Sequence, residues 1–323
     1  MRQLKIGLIG AGNMGRNHLR VLAEEMGHFS LIGIYDVDSE RTRQLAGQYG
    51  TKLYPSSNEL LEQVEAVVIA VPSSLHKEFG LLASYHHVAA LIEKPLAITS
   101  EDAAELCRAF SKNQCKLTVG HVERFNPVVA ILKKILQHEQ IIAMEARRYS
   151  PFDGRIKDAN VVEDLMIHDI DLVCNFMTDH QIVELSGLGQ IIRSGRLDFV
   201  QSLLKFDNGV QATVSASRVT EDKIRELHIH TRDSFIKADL LAKTLQINKS
   251  TNMIIDVGQE NSYKQDSVTQ KIFVPIIEPL RAELLAFYNA VVNDTEVEID
   301  GMTATHVISI CEQVIQHAKN GIK

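Results

Sequence analysis

The chain has 323 residues, 45% of them hydrophobic and 23% charged, the composition of an ordinary globular protein at a length that predicts two domains. Against 34 lysines and arginines stand 41 aspartates and glutamates, a formal charge of −7, so no basic field exists to hold nucleic acid or an anionic membrane. Apolar runs such as Ala66 to Val71 and Ile131 to Leu136 fall far short of the roughly 18 to 20 residues that cross a bilayer. Arg2 and Lys5 precede an apolar segment that runs straight into Gly10, Gly12 and Gly15, which reads as a first strand and not as a signal peptide. Cys107, Cys115, Cys174 and Cys311 are scattered without Cys-x-x-Cys spacing, which predicts no metal site and a reducing, cytoplasmic setting.

From residue 4 to about 120, short apolar runs alternate with segments of helical spacing, the pattern of a parallel sheet covered by crossover helices. The predicted strands are Leu4 to Ile9, Ser30 to Tyr35, Ala66 to Val71, Ala89 to Ile92 and Lys116 to Val119. The predicted helices are Met14 to Glu25, Glu40 to Tyr49, Leu75 to Tyr85 and Glu101 to Phe110, with Ser39 and Ser100 as N-caps. Residues 1–120 are thus expected to form a doubly wound α/β domain, and 121–323 an α+β domain with an open, largely antiparallel sheet. In the second part the strands are expected at Ile141 to Tyr149, Ile182 to Ile192, Asp198 to Phe206, Val210 to Ser217, Glu226 to Thr231 and Ser234 to Asp239. Asp207-Asn208-Gly209 predicts a hairpin within an antiparallel meander. Helices are read at Val161 to Met177, Leu280 to Val292 and Met302 to Lys319. Residues 247–270 are polar and aperiodic and read as a long loop or irregular edge. One face of the sheet is left to be covered, which predicts a homodimer or homotetramer.

Gly10-Ala11-Gly12-Asn13-Met14-Gly15 follows a strand and opens a helix. In that context glycines let a pyrophosphate sit on the unpaired amides of the helix N-terminus. Asp36 closes the second strand about 20 residues on, where a carboxylate accepts from ribose hydroxyls and repels a 2′-phosphate. NAD is therefore favoured over NADP, with Arg41 the one nearby cation that could reverse the preference. Val71-Pro72-Ser73 and Glu93-Lys94-Pro95 follow strands at their C-terminal ends, where open α/β sheets gather ligands. In the second part, Asp164, His168 and Asp171 at helical spacing project from one face, and a carboxylate one turn from an imidazole suits a general base. A surface ion pair or a buried histidine accounts for that spacing equally well.

These motifs, with Ala70-Val71-Pro72-Ser73-Ser74-Leu75-His76, stand in the order found in the glucose-fructose oxidoreductase and inositol dehydrogenase (Gfo/Idh/MocA) family, which the whole chain resembles. The resemblance implies a Rossmann domain, a C-terminal domain whose open sheet mediates oligomers, and a catalytic set of Lys94, Asp164 and His168. It places Gly10, Gly12, Asn13, Met14, Gly15, Asp36, Arg41, Val71, Pro72, Ser73, His76, Glu93 and Lys94 around the cofactor. Gly120-His121-Val122-Glu123-Arg124-Phe125-Asn126-Pro127 and Ala216-Ser217-Arg218-Val219 resemble bacterial UDP-N-acetylglucosamine 3-dehydrogenases, which implies that Arg124 and Asn126 join Asp164 and His168 near the sugar. The expected activity is hydride transfer between a sugar or sugar-nucleotide hydroxyl carbon and nicotinamide, with no metal. An inositol or free-hexose dehydrogenase, or a non-catalytic cofactor-binding regulator, remain alternatives.

Overall fold

The computed structural model describes residues 2–154, 159–257 and 260–321, with the side chains of 251–266 left out of the description. The chain forms two compact units, Met1–Phe125 with Glu278–Ser309, and Asn126–Ile277 with Ile310–Lys323.

The first unit opens with β1 (Leu4–Ile9), α1 (Asn13–Glu24), β2 (Phe29–Tyr35), α2 (Ser39–Tyr49), β3 (Lys52–Leu53), α3 (Ser57–Leu61) and β4 (Ala66–Ile69). It continues through α4 (His76–Tyr85), β5 (Ala89–Glu93), α5 (Ser100–Lys112) and β6 (Leu117–Gly120). The six strands lie parallel in the order β3-β2-β1-β4-β5-β6. Every residue of β4, β5 and β6 is buried, as strands covered on both faces must be. The helix caps lie one residue earlier than Ser39 and Ser100: Asp38 accepts from the Arg41 amide and Thr99 from the Asp102 amide, each at 3.1 Å. Both serines are the first helical residues instead. β3 and α3 were not predicted, because two and five residues are too few to show a period.

The second unit begins with α6 (Pro127–Leu136), capped by Asn126, and β7 (Ile141–Tyr149). The segment expected as one helix from Val161 to Met177 starts as a π-helical turn, Val162–Met166, and becomes α7 (Ile167–Phe176) only afterwards. Strands follow as β8 (Ile182–Ile191), β9 (Leu197–Phe206), β10 (Gln211–Ser217), β11 (Ile224–Thr231), β12 (Phe235–Asp239), β13 (Thr244–Val257) and β14 (Glu260–Ile272). The sheet order is β14-β13-β12-β11-β7-β10-β9-β8, with β7 parallel to β10 and antiparallel to β11. The expected simple meander is therefore split. Two runs of hairpins flank a central strand that comes from earlier in the chain, so the sheet is mixed. The predicted turn does join β9 to β10, with Gly209 at φ +88° and its amide donating to Phe206. Residues 247–270 are not a loop: β13 and β14 pair antiparallel from Leu245 with Ile272 to Val257 with Glu260. A ladder of backbone hydrogen bonds needs no apolar period to form.

Two buried ion pairs tie this sheet together. Arg148 on β7, 1% exposed, grips the Asp169 carboxylate of α7 through Nε at 3.1 Å and Nη2 at 2.8 Å. Arg218, just past β10, donates from Nε to Asp198 of β9 at 2.9 Å and from Nη1 to the Ala159 carbonyl at 2.9 Å. Burial alone would raise the Asp198 carboxyl, but bonds from the Ser194 hydroxyl and the amides of Arg193, Ser194 and Ile192 hold it well below the usual carboxylate range. One face of the sheet stays open, with Leu188 and Leu203 exposed on it.

The chain then returns to the first unit with α8 (Pro279–Val292), and α9 (Gly301–Asn320) is shared between the two units. A division at residue 120 alone does not carry this return. Its cause is apolar: Leu280, Leu284, Phe287 and Tyr288 pack into the core that holds Leu4, Ile6, Leu19, Leu22 and Phe29, each burial contributing about 1.5–3 kcal/mol. Among the described residues no helix is long and apolar enough to cross a membrane, and no group of three or more His, Cys, Asp or Glu is placed to hold a metal ion.

Because Asp198 is fully buried, removing Arg218 leaves its charge to the Ser194 hydroxyl and three backbone amides, with no opposite charge among the described residues bonded to it. Arg218→Met should lower the free energy of unfolding in urea by about 3–5 kcal/mol. A loss below ~1 kcal/mol, the range of a surface pair, would show that the pair is not the anchor described.

Candidate functional site

At the end of β1 the backbone turns at Gly10, whose φ of +97° excludes most side chains. A Cβ there would collide with the Ala70 carbonyl beyond β4, and one at Gly15 would run into the carbonyl of Gly10. Gly12 differs, since a Cβ there would meet no protein atom within 4 Å. No described residue requires that glycine, so the space over it is available to a ligand that must approach the backbone closely. The N-terminus of α1 beside it has no side-chain cap and no acidic residue in its first turn, which leaves its amides and its positive dipole end available to an anion.

A cleft of about 470 Å³ opens at this point, lined by Gly10, Gly12, Asn13, Met14, Val71 and Pro72 at one end and by Asp36, Val37 and Arg41 at the other. The Asp36 carboxylate is fixed by the Ala11 amide at 2.6 Å, the Asp38 amide at 2.8 Å and Nη2 of Arg41 at 3.2 Å. The residues present fit a dinucleotide: glycines and bare amides for the pyrophosphate, a carboxylate at the ribose position. Ser73 starts the turn Ser73–Leu75 that leads into α4. His76 is buried behind the cleft, its Nδ1 2.7 Å from the Pro95 carbonyl and its Nε2 3.0 Å from that of Val71. Burial holds its imidazole below the usual range, against the pull of those two carbonyls. The ring thus bridges the two segments that follow β4 and β5.

Glu93, the last residue of β5, is buried and lies 2.7 Å from Nε2 of His18, which is fully buried on α1. Its Oε2 accepts from the Lys94 amide at 3.3 Å. Burial would raise this carboxyl, but the His18 bond and the nearby charges of Lys94 and His76 keep it lowered. Lys94 itself is half-buried and is joined to Pro95 by a cis peptide bond. Arg124 is half-buried on the single turn Val122–Phe125.

In the second unit, Asn160 and Glu163 form a reciprocal cap. The Asn160 side chain accepts from the Val162 amide at 2.8 Å, while Glu163 accepts from the Asn160 amide at 2.9 Å. This cap, with Arg218 holding Ala159, launches the π-helical turn that carries Asp164, and His168 follows on α7. Such turns re-aim side chains and are frequent at functional sites. Asp164 and His168 are both half-buried, whereas Asp171, expected on the same face, is buried at 1% exposure. Asn126 is buried, its amide donating to the Leu240 carbonyl and accepting from Val128, each at 3.1 Å. It is therefore held by the protein itself as a helix cap.

Sequence reasoning missed His18, Glu283, Arg148 and Arg218, whose charges or imidazole look like surface features until the fold buries them. The Asn160-x-x-Glu163 spacing was a legible capping signal that was not used.

Residues 4–121 match the "Oxidoreductase family, NAD-binding Rossmann fold", and residues 142–236 match the "GFO/IDH/MocA C-terminal domain". The chain is 29% identical over 315 residues to UDP-N-acetylglucosamine 3-dehydrogenase of Acidithiobacillus ferrooxidans, covering 97% of each chain. A solved structure of the same-named enzyme from that organism superposes with a TM-score of 0.91 at 28% identity, over 99% of both chains. An inositol 2-dehydrogenase of Rhizobium meliloti is 20% identical over 97% of this chain and 96% of its own. With both its nucleotide-binding and its C-terminal segments matched, the chain belongs to the Gfo/Idh/MocA oxidoreductase family.

Proposed function

We propose that this protein is an NAD-dependent dehydrogenase of a sugar nucleotide, with UDP-N-acetylglucosamine oxidised at its 3-hydroxyl as the leading substrate. The observation that carries the reading is the uncapped, glycine-lined start of α1 beside a cleft that ends in Asp36. The substrate rests on likeness along 97% of the chain to an enzyme of that name. A nicotinamide bound in this cleft would supply the acceptor for a hydride from the hydroxyl-bearing carbon. His168 takes the hydroxyl proton, Asp164 steadies the imidazolium, and the Lys94 ammonium donates to the oxygen as negative charge develops on it. Arg124, half-buried on its turn, contributes to the sugar pocket, while Asn126, whose side chain is taken up by Leu240 and Val128, fixes the start of α6. The open sheet face, with its exposed Leu188 and Leu203, is the surface that a second copy covers.

A panel of UDP-sugars, free hexoses and inositols with NAD and with NADP tests the substrate. Turnover with UDP-N-acetylglucosamine and NAD is expected. Turnover only with inositols or free sugars would reassign the substrate, and cofactor binding without any turnover would make the protein a regulator.

Asp36 sets the cofactor preference. NAD(H) should bind at least tenfold more tightly than NADP(H), about 1.4 kcal/mol. Equal affinities would show that Arg41, already paired with Asp36, neutralises the carboxylate and receives a 2′-phosphate.

Lys94→Ala and His168→Ala should each slow single-turnover hydride transfer by about a hundredfold or more, roughly 3 kcal/mol, with NAD affinity nearly unchanged. Asp164→Asn should also slow it, and Asp164→Asn with His168→Ala should cost far less than the product of the two, because residues acting as one unit are not additive. Near-normal rates in both alanine variants would place the chemistry elsewhere.

A further inference from the structure

His76 is 1% exposed, opens α4 and sits between the segments that leave two neighbouring strands, β4 and β5. Its Nδ1 lies 2.7 Å from the Pro95 carbonyl oxygen and its Nε2 3.0 Å from that of Val71. A carbonyl oxygen only accepts, and a neutral imidazole carries a single N–H. With one proton the ring therefore donates to one carbonyl and turns a bare lone pair toward the other, whereas the imidazolium donates to both. The two carbonyls belong to different parts of the site: Val71 and Pro72 line the cleft, and Pro95 directly follows Lys94.

We propose that His76 is a positioning residue whose second proton closes a clasp: the neutral ring holds the Lys94–Pro95 turn alone, and the doubly protonated ring ties that turn to the floor of the cleft at Val71. The neutral ring keeps its proton on Nδ1, because that contact is the shorter. On α4 itself Lys77 and Glu78 follow the ring, with Lys77 held by Asp102 at 2.6 Å and Glu105 at 2.7 Å on α5. Glu93, bonded to His18 of α1, ends β5, and Lys94 comes next. Burial and the Lys94 charge oppose the second proton, while the two carbonyls and Glu93 favour it; burial prevails and holds the imidazole below its ordinary 6.5. The clasp is thus open at neutral pH and closes as the pH falls below that value. Closing it fixes the cleft floor before a cofactor arrives, which favours binding, and by reciprocity a bound cofactor favours the proton.

The part played through Lys94 rests on the proposed catalytic reading, while the clasp itself does not. In the full chain labelled with nitrogen-15 in its histidine rings, the magnetic-resonance signals that His76→Gln removes should show one protonated ring nitrogen at neutral pH and two at about pH 5. NAD affinity of the wild type should rise at least about fivefold over that interval, and the rise should be absent from His76→Gln, which has no second proton to gain. His76→Phe, a ring without a donor, should slow single-turnover hydride transfer about tenfold or more and add little to Lys94→Ala, because it acts through that residue. A ring that still carries one proton at about pH 5, or the same rise in affinity in His76→Gln, would overturn the clasp. Equal losses from His76→Phe with and without Lys94 would overturn the positioning role. If His76→Phe does not fold, the spectra and the NAD affinities of wild type and His76→Gln decide alone. Full activity in Lys94→Ala, with the second proton and the rise in affinity both present, would instead refute the catalytic reading of Lys94.

Discussion

Three stretches of backbone converge at Gly10: the end of β1, the start of α1 and the residue beyond β4. A Cβ on Gly10 would strike the Ala70 carbonyl, and one on Gly15 would strike Gly10. Only glycine permits this approach, and the approach is what brings the first turn of α1 against the strand ends with its amides uncapped. The cleft, the contact between Asp36 and the Ala11 amide, and the register of β1 between β2 and β4 all follow from it. At Gly12 a Cβ would meet no described protein atom within 4 Å, so the loop leaves open space beside the uncapped first turn of α1.

The second unit fixes the segment that carries Asp164 and His168 by buried charge. Arg148 clamps Asp169, the residue next to His168, onto β7. Arg218 holds both Asp198 and the Ala159 carbonyl, so the residue before the Asn160 cap is fixed from the sheet. Each pair has little solvent to screen it, and breaking one leaves an uncompensated charge. This makes the helix that carries His168 a rigid mount, as the general-base role proposed for His168 would need.

Much of this was legible in the sequence where a local period or a special backbone was needed. The strands of the parallel sheet and the glycine loop announced themselves through apolar runs ending at Gly10, Asp36, Val71 and Lys94. The position of β7 between β10 and β11 was not legible, because strand pairing across long separations leaves no local trace. The π-helical turn at Val162–Met166 hid inside an apparently helical spacing: it interrupts the regular α-helical step between Asp164 and His168, whereas His168 and Asp171 keep theirs on α7, with Asp171 buried. Buried ions were the other blind spot. Arg148 and Asp198 look like residues of a solvated surface, and only tertiary packing turns them into anchors.

The central claim is that a hydride passes directly between a sugar hydroxyl carbon and the nicotinamide of a cofactor seated over Gly12. Its most direct test is a single turnover with UDP-N-acetylglucosamine deuterated at C3. Deuterium should appear at C4 of the nicotinamide, with a slower transfer than for the unlabelled sugar. Label retained on the sugar, or released to water, would contradict it.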